Sequence, residues 1–451
     1  MPSFPHFMNS KLQFSESSQT ISVAIVGGGP AGLMAAEVLS NLGHEVHVFD
    51  AMPSVGRKFL LAGRGGLNLT HSEPTAKLMM RFGDKQAHIT PVLSEWGAAE
   101  LRQWAHGLGI ETFVGTSGRV FPKEMKAAPL LRAWLQRLRH PLQGKPVKFH
   151  MRHKLTGIAS LLGARPGQVE LDFEIHEVGI VNVKSSKVIA DAVILALGGA
   201  SWSRLGSDGA WVPWLAQKGV PISPLQPANC GFHVAGRAGQ GWTPFFTDRF
   251  AGHPLKSVTL SWQTTQGDHR SQVGEFVASA YGLEGSLIYA ASADLREQIN
   301  AQGFAEIEMD LLPHLSPEMV LAEVSHPKGS RSLSSHLKSR LGLEGVKMAL
   351  LNELLLPQTL QSPTLLAQGI KALKVKLLST RPIDEAISTA GGVAWQGMTP
   401  NLELKNLPGV FCAGEMVDWE APTGGYLLTA SLSTGVKAAQ GVHQKMKGDE
   451  P

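Results

Sequence analysis

The feature that most constrains this sequence is the glycine turn Gly27-Gly28-Gly29-Pro30-Ala31-Gly32, because of what stands on either side of it. A short β-branched apolar run, residues 22–26, precedes it. After it, Leu33, Ala36, Val38, Leu39 and Leu42 recur at helical spacing as far as Gly43, and residues 45–50 then alternate up to Asp50. Strand, glycine turn, helix and strand within about 30 residues make a βαβ unit. Gly27 permits the tight turn, Gly29 lets the backbone approach a pyrophosphate, and Gly32 lets helix and strand pack closely. Pro30 and Ala31 open the helix, whose N–H groups and dipole favour an anion. Asp50 stands 18 residues after Gly32, placed to accept hydrogen bonds from ribose hydroxyls. A dinucleotide site is expected, and an acid at 50 argues against the 2′-phosphate of NADP there.

FAD and NAD share this fingerprint, and later features favour FAD. Gly56-Arg57-Lys58 follows the acid, and a second glycine loop with Gly65, Gly66 and Asn68 comes close behind, able to approach the rest of an extended dinucleotide. The apolar run 192–197 reads as a central parallel strand that stops at Gly198-Gly199. Residues 409–415 repeat the device, ending in Gly414-Glu415. Gly424-Gly425-Tyr426-Leu427 then opens the last helix with another N-terminus able to stabilise charge. No second complete βαβ unit of this kind follows, so NAD(P)H is expected only as a transient electron donor.

With 451 residues the chain exceeds one ordinary domain. Apolar residues make up 43% and charged residues 17%, which excludes a disordered chain and points to a large core. Apolar runs stay far short of the roughly 20 residues of a membrane helix. Cys230 and Cys412 stand far apart, which excludes a disulfide framework and a Cys/His metal site. Residues 1–20 lack a basic stretch followed by an apolar one, so a cytoplasmic protein is expected. We divide the chain into a tail (1–19), a first part of the nucleotide domain (20–203), an inserted lobe (204–385) and a second part of the nucleotide domain (386–451). The lobe reads as β-rich over 204–312 and helical over 313–380. Helices are expected at 92–108, 125–139, 365–378 and 427–446, and strands at 155–161, 169–175, 178–183, 257–263 and 304–310.

The net charge of +4 is uneven: residues 51–154 hold 17 Lys and Arg against 6 Asp and Glu. Such a segment suits phosphate, nucleic acid or an anionic substrate. It lacks the interleaved aromatics of an RNA-binding motif, so most of these charges read as solvated helix faces, and no nucleic-acid partner is expected.

The ordered set of motifs resembles the BaiN/YhiN-like flavoprotein family of FAD-dependent oxidoreductases. The residues that carry the resemblance are the 27–32 turn, Gly56-Arg57-Lys58, residues 65–70, Gly118-Arg119-Val120-Phe121-Pro122, Thr389-Ala390-Gly391-Gly392-Val393, Gly414-Glu415 and Pro422-Thr423-Gly424-Gly425-Tyr426. The resemblance implies an α/β fold: a glutathione-reductase-like, Rossmann-type FAD-binding domain interrupted by a mixed β and helical insert. It implies non-covalent FAD, with Lys58 and Asn68 along the cofactor and Asn68 near the flavin. Gly198, Gly414 and Glu415 would lie by the pyrophosphate and ribityl chain, and the backbone from Gly425 to Leu428, Leu427 included, by the flavin N1–O2 edge. Many relatives carry Arg-Cys-Asn where Gly66-Leu67-Asn68 stands here, so a cysteine-dependent role in that loop is absent.

The expected activity is hydride transfer between flavin and a small organic substrate held between the two lobes, with nicotinamide nucleotide or oxygen as electron partner. The alternatives are an amine-type oxidase that releases peroxide and an FAD-carrying RNA-binding or regulatory protein. His71 and Tyr426 are the candidate catalysts; His71, one of seventeen histidines, also reads as a bystander, and Tyr426 as packing over the cofactor.

Overall fold

A computed structural model describes residues 19–62, 65–160, 168–176, 184–237 and 239–448. The strand expected at 178–183 lies outside them. β1 (Gln19–Val26) passes through the glycine turn into α1 (Pro30–Asn41) and returns as β2 (Val46–Asp50), parallel to β1. β3 (Lys184–Leu195) pairs parallel to the other side of β1, and β4 (Val410–Cys412) pairs parallel to the end of β3. Strand Lys148–Met151 extends the sheet beyond β2, while Val169–Ile175 and His153–Ser160 add an antiparallel pair beyond β3. Residues 192–195 are apolar without interruption because both faces of the sheet are covered.

α1 is buried on nearly every side, including Glu37. That carboxylate accepts from the Trp104 and Trp134 indoles at 3.0 and 2.7 Å and pairs with Arg137 at 2.6 Å, so no charge is stranded. The final helix, α3 (Tyr426–Lys447), crosses α1 where both are small: a Cβ on Gly435 would lie 2.4 Å from the Ala31 carbonyl oxygen.

A second core extends from Cys230 to Ala386. Its strands, Phe232–Gly236, Gly282–Glu284, His269–Ala278, His253–Gln263, Ala305–Asp310 and Leu373–Thr380, pair antiparallel in that order. The last also pairs with the first, which closes a barrel and leaves no long free edge. α2 (Ser286–Gln302) and the helices between residues 317 and 371 pack around it. Strands Ile222–Ala228 and Ser388–Val393 carry the chain out and back as an antiparallel pair. No helix among the described residues is long and apolar enough to cross a membrane.

Three expectations are corrected. The helix at 365–378 ends at Lys371, and Leu373–Thr380 is a strand: Leu373, Val375 and Leu377 are buried while Lys374 and Lys376 face out, a period of two. The helix at 92–108 is two helices, Gln86–Glu95 and Ala98–Gly107, broken at Gly97, where a Cβ would meet the Leu93 carbonyl oxygen at 2.6 Å. Trp211, Leu215 and Val220, read as part of the inserted lobe, pack in the first core.

Candidate functional site

Four chain segments end at one cavity of about 510 Å³: the turn after β1, the ends of β2 and β3, and the segment from Gly414 to Ser431. All come from the carboxyl edge of the parallel strands, where open α/β sheets bind ligands. Gly27 takes φ 108°, and a Cβ there would lie 2.2 Å from the Ala196 carbonyl oxygen, so the turn admits only glycine. A Cβ on Gly32 would lie 2.0 Å from the Gly27 carbonyl oxygen, which is the close packing of helix on turn expected of that position. A Cβ on Gly29 would meet nothing within 4 Å: it would project into open space at the N-terminus of α1.

Asp50 sits at the edge of this turn. Its Oδ2 accepts the Gly28 N–H and its Oδ1 the Met52 N–H, both at 2.8 Å. Burial raises the carboxyl above its ordinary range, against these two donors. Across the cavity, Lys58 Nζ lies 2.6 Å from Glu415 Oε2 and donates to Ser201 Oγ at 2.6 Å, while Glu415 Oε1 accepts the Thr389 N–H at 3.0 Å. Asn68 donates Nδ2 to the carbonyls of Thr70 and Val120, at 2.8 and 3.1 Å, which aims the amide.

The far end is closed by the N-terminus of α3. Gly425, at φ 95°, is its N-cap and presses on Thr70, whose Cα would be 2.4 Å from an added Cβ. α3 meets α1 at Gly435, ten residues further on, so the two helix N-termini stand about 15 Å apart. The cavity thus offers two separate, positively polarised helix ends to one elongated ligand.

Of the residues singled out in the sequence, Gly27, Gly29, Pro30, Ala31, Asp50, Arg57, Lys58, Asn68, Gly198, Gly414, Glu415, Gly424, Gly425 and Leu427 line the cavity. Gly32 lies behind the turn, and Gly65 is outside the lining. His71 and Tyr426 do not line it either: their rings stack on each other at 5.3 Å. His71 Nδ1 accepts the Glu73 N–H at 3.1 Å and Nε2 faces the Ser117 carbonyl at 3.0 Å, so both ring nitrogens are engaged. Burial, and then Glu73, push the Tyr426 hydroxyl well above its ordinary range. Cys412 is fully buried, and burial likewise pushes its thiol up. Sequence reading missed Ser207, Trp211, His153, Leu155 and Ile387, all on the lining. They arrive from loops and strand ends with no local pattern; only the glycines around 206–209 gave any signal.

Three buried polar atoms on this lining have no partner among the described residues: Arg57 Nε, Asn68 Oδ1 and Ser207 Oγ. Buried polar atoms are almost always paired, so these three, with the open face of Gly29, fit a bound polar group such as FAD.

The fold and cavity define a Rossmann-type flavoprotein, and the protein is an FAD-dependent oxidoreductase. Residues 21–441 match the HI0933-like protein Rossmann domain family, and the chain belongs to that family. It is 24% identical over 436 residues to a 3-dehydro-bile acid delta(4,6)-reductase of Clostridium scindens, covering 94% of this chain and 99% of that protein. It is 23% identical over 443 residues to a ribosomal RNA dihydrouridine synthase of Haemophilus influenzae, covering 95% and 100%. Among solved structures, the open conformation of a flavocytochrome c3 fumarate reductase superposes with a TM-score of 0.51 at 14% identity, covering 95% of this chain and 78% of that one.

Proposed function

We propose that this protein reduces a carbon–carbon double bond conjugated to a carbonyl group. The observation that supports this reading is that two full-length relatives with dissimilar substrates, a 3-dehydro-bile acid and ribosomal RNA, bear names for the saturation of such a bond. The bond is electrophilic at the carbon remote from the carbonyl, which suits it to accept a hydride.

FAD, when bound, supplies two-electron hydride chemistry. The α1 N-terminus at Gly29 would hold the diphosphate, and Asp50 would accept from the ribose. Lys58, held in place by Glu415, would offset the diphosphate charge. Asn68 Oδ1 would accept a flavin N–H, and the N–H groups opening α3 would stabilise the negative charge that reduction brings. His71 and Tyr426 orient the 70–73 segment against α3 and carry no proton to the substrate. We place the substrate between the nucleotide lobe and the barrel, against Ile387, Ser388 and Thr423.

The test is anaerobic. The holoprotein is reduced with NADH, NADPH or dithionite and mixed with 2-cyclohexen-1-one, a 3-oxo-Δ4 steroid or uridine-containing RNA. Return of the oxidised flavin spectrum with a product two hydrogens heavier is expected in at least one arm. Reoxidation by oxygen alone, with stoichiometric peroxide on addition of amines, would select the oxidase reading instead.

A further inference from the structure

Asn229 sits where the chain leaves the nucleotide lobe for the barrel. It is 3% exposed, and its backbone is left-handed at φ 50°. Asparagine tolerates that region better than other non-glycine residues do. All the polar atoms of its side chain are engaged. Nδ2 donates to Ser388 Oγ at 2.7 Å and to the Ala421 carbonyl at 2.8 Å, and Oδ1 accepts the Thr423 N–H at 3.0 Å. Its own N–H donates to Ser292 Oγ on α2 at 3.0 Å, and its carbonyl accepts the Ile387 N–H at 3.3 Å. One buried residue therefore ties together the outgoing chain, the returning chain, α2 and the 421–423 segment.

Ile387, Ser388 and Thr423 line the cavity, and Gly424 and Gly425, which follow directly, lead into the N-terminus of α3. A second tie acts on the same segment. Arg296 of α2, 4% exposed, forms a two-pronged pair with Glu420 at 2.6 and 3.0 Å and donates to the Pro227 carbonyl at 3.0 Å. Residues 420–423 are thus hung from the barrel lobe, although they precede a helix of the nucleotide lobe.

Asparagine is the side chain this joint requires. Aspartate would face the Ala421 carbonyl with a second acceptor, and alanine would strand both that carbonyl and the Thr423 N–H in a dry site.

We infer that Asn229 is a positioning residue, which holds Ser388 and residues 421–423 in the one arrangement that keeps the α3 N-terminus aimed at the flavin. It rests on the reading of the cavity as the FAD site, and it touches no cofactor itself. Its effect passes through Thr423 and Ser388 to the helix end that stabilises the reduced cofactor.

The experiment compares FAD affinity, reduction equilibrium and thermal unfolding in the holoproteins of Asn229→Asp, Asn229→Gly, Ser388→Ala and Leu295→Ala. The Asn229 variants are expected to bind FAD within about threefold of the parent, because α1 and Asp50 are untouched. Their flavin reduction equilibrium shifts about tenfold toward the oxidised form, about 30 mV for two electrons. Ser388→Ala shifts it less, in the same direction. Leu295→Ala truncates the barrel-lobe core on α2 and lowers the unfolding temperature with no change in the equilibrium. If Asn229→Gly does not accumulate as folded protein, Asn229→Asp and Ser388→Ala decide. Variants that hold FAD with an equilibrium within twofold of the parent would overturn the inference, as would an equal shift in Leu295→Ala. Neither result depends on which substrate the enzyme reduces.

Discussion

Lys58 and Glu415 stand 357 positions apart in the chain and meet at 2.6 Å on the wall of the cavity. The lysine comes from the short helix Arg57–Ala62 that follows β2, the glutamate from the loop after β4. Their pairing joins the first and last parts of the nucleotide lobe at the place where an anionic ligand would lie, so breaking it removes a charge and loosens a wall together.

Lys58→Met should weaken FAD binding roughly tenfold to a hundredfold, the worth of a charged hydrogen bond of about 1.5–3 kcal/mol. Glu415→Gln keeps the shape of the contact and should cost less. Titration of the apoprotein with FAD, followed by quenching of flavin fluorescence, checks both values. Equal affinity in Lys58→Met and the parent would remove the lysine from the site.

Two glycines three positions apart in the motif should behave oppositely. Gly29→Ala places a methyl group in open space, so the apoprotein should melt as the parent does while FAD affinity falls at least about tenfold. Gly32→Ala drives a methyl group against the Gly27 carbonyl, so the fold itself should fail, seen as loss of soluble protein or a steep drop in melting temperature.

The edge of the sheet carries an acid-sensitive stack. His47 Nδ1 and His150 Nε2 lie 2.9 Å apart, and His150 stacks on Phe49 at 4.5 Å. Burial, and then the neighbouring His47 and His153, lower His150 from 6.5 to about 4. The folded state thus prefers the neutral ring: the stabilisation is complete above pH 6.5 and is lost as pH falls toward 4. His150→Phe keeps the stack on Phe49 and removes this titration. Its melting temperature should change less steeply between those two pH values, at the cost of a lower plateau because His47 Nδ1 loses its partner while Nε2 keeps Glu45.

His71→Gln and Tyr426→Phe should leave turnover within about threefold of the parent, since neither ring lines the cavity and a proton-transfer residue contributes at least about a hundredfold. Tyr426→Phe should lower stability by about 0.5–1.5 kcal/mol, because its hydroxyl helps Arg81 hold the half-buried Glu73 carboxyl below its ordinary range, against the opposing effect of burial. A hundredfold loss of turnover in either variant would reinstate it as a proton-transfer residue.

The nucleotide-binding half was legible because its signals are local. Gly27, Gly32 and Asp50 lie in one βαβ unit of about 30 residues, within which Gly32 packs on Gly27 and Asp50 accepts from Gly28. The barrel was not. Leu373, Val375 and Leu377 follow a leucine-rich helix with no punctuation between them, and only pairing with Ala305–Asp310 and Phe232–Gly236 makes that stretch a strand. Asn229 left no trace in the sequence either, since its partners Ser292, Ser388 and Thr423 are 63 or more positions away. His71 shows the opposite case: it is near the Asn68 loop along the chain, but its ring stacks on Tyr426 and does not line the cavity.

The place of β4 at the end of β3 carries a consequence for biosynthesis. Until the ribosome has released residues 410–412, the tip of β3 presents unsatisfied backbone groups, and the floor beneath the ligand is missing. The complete floor of the site therefore exists only once residues 410–412 have emerged and paired with the tip of β3.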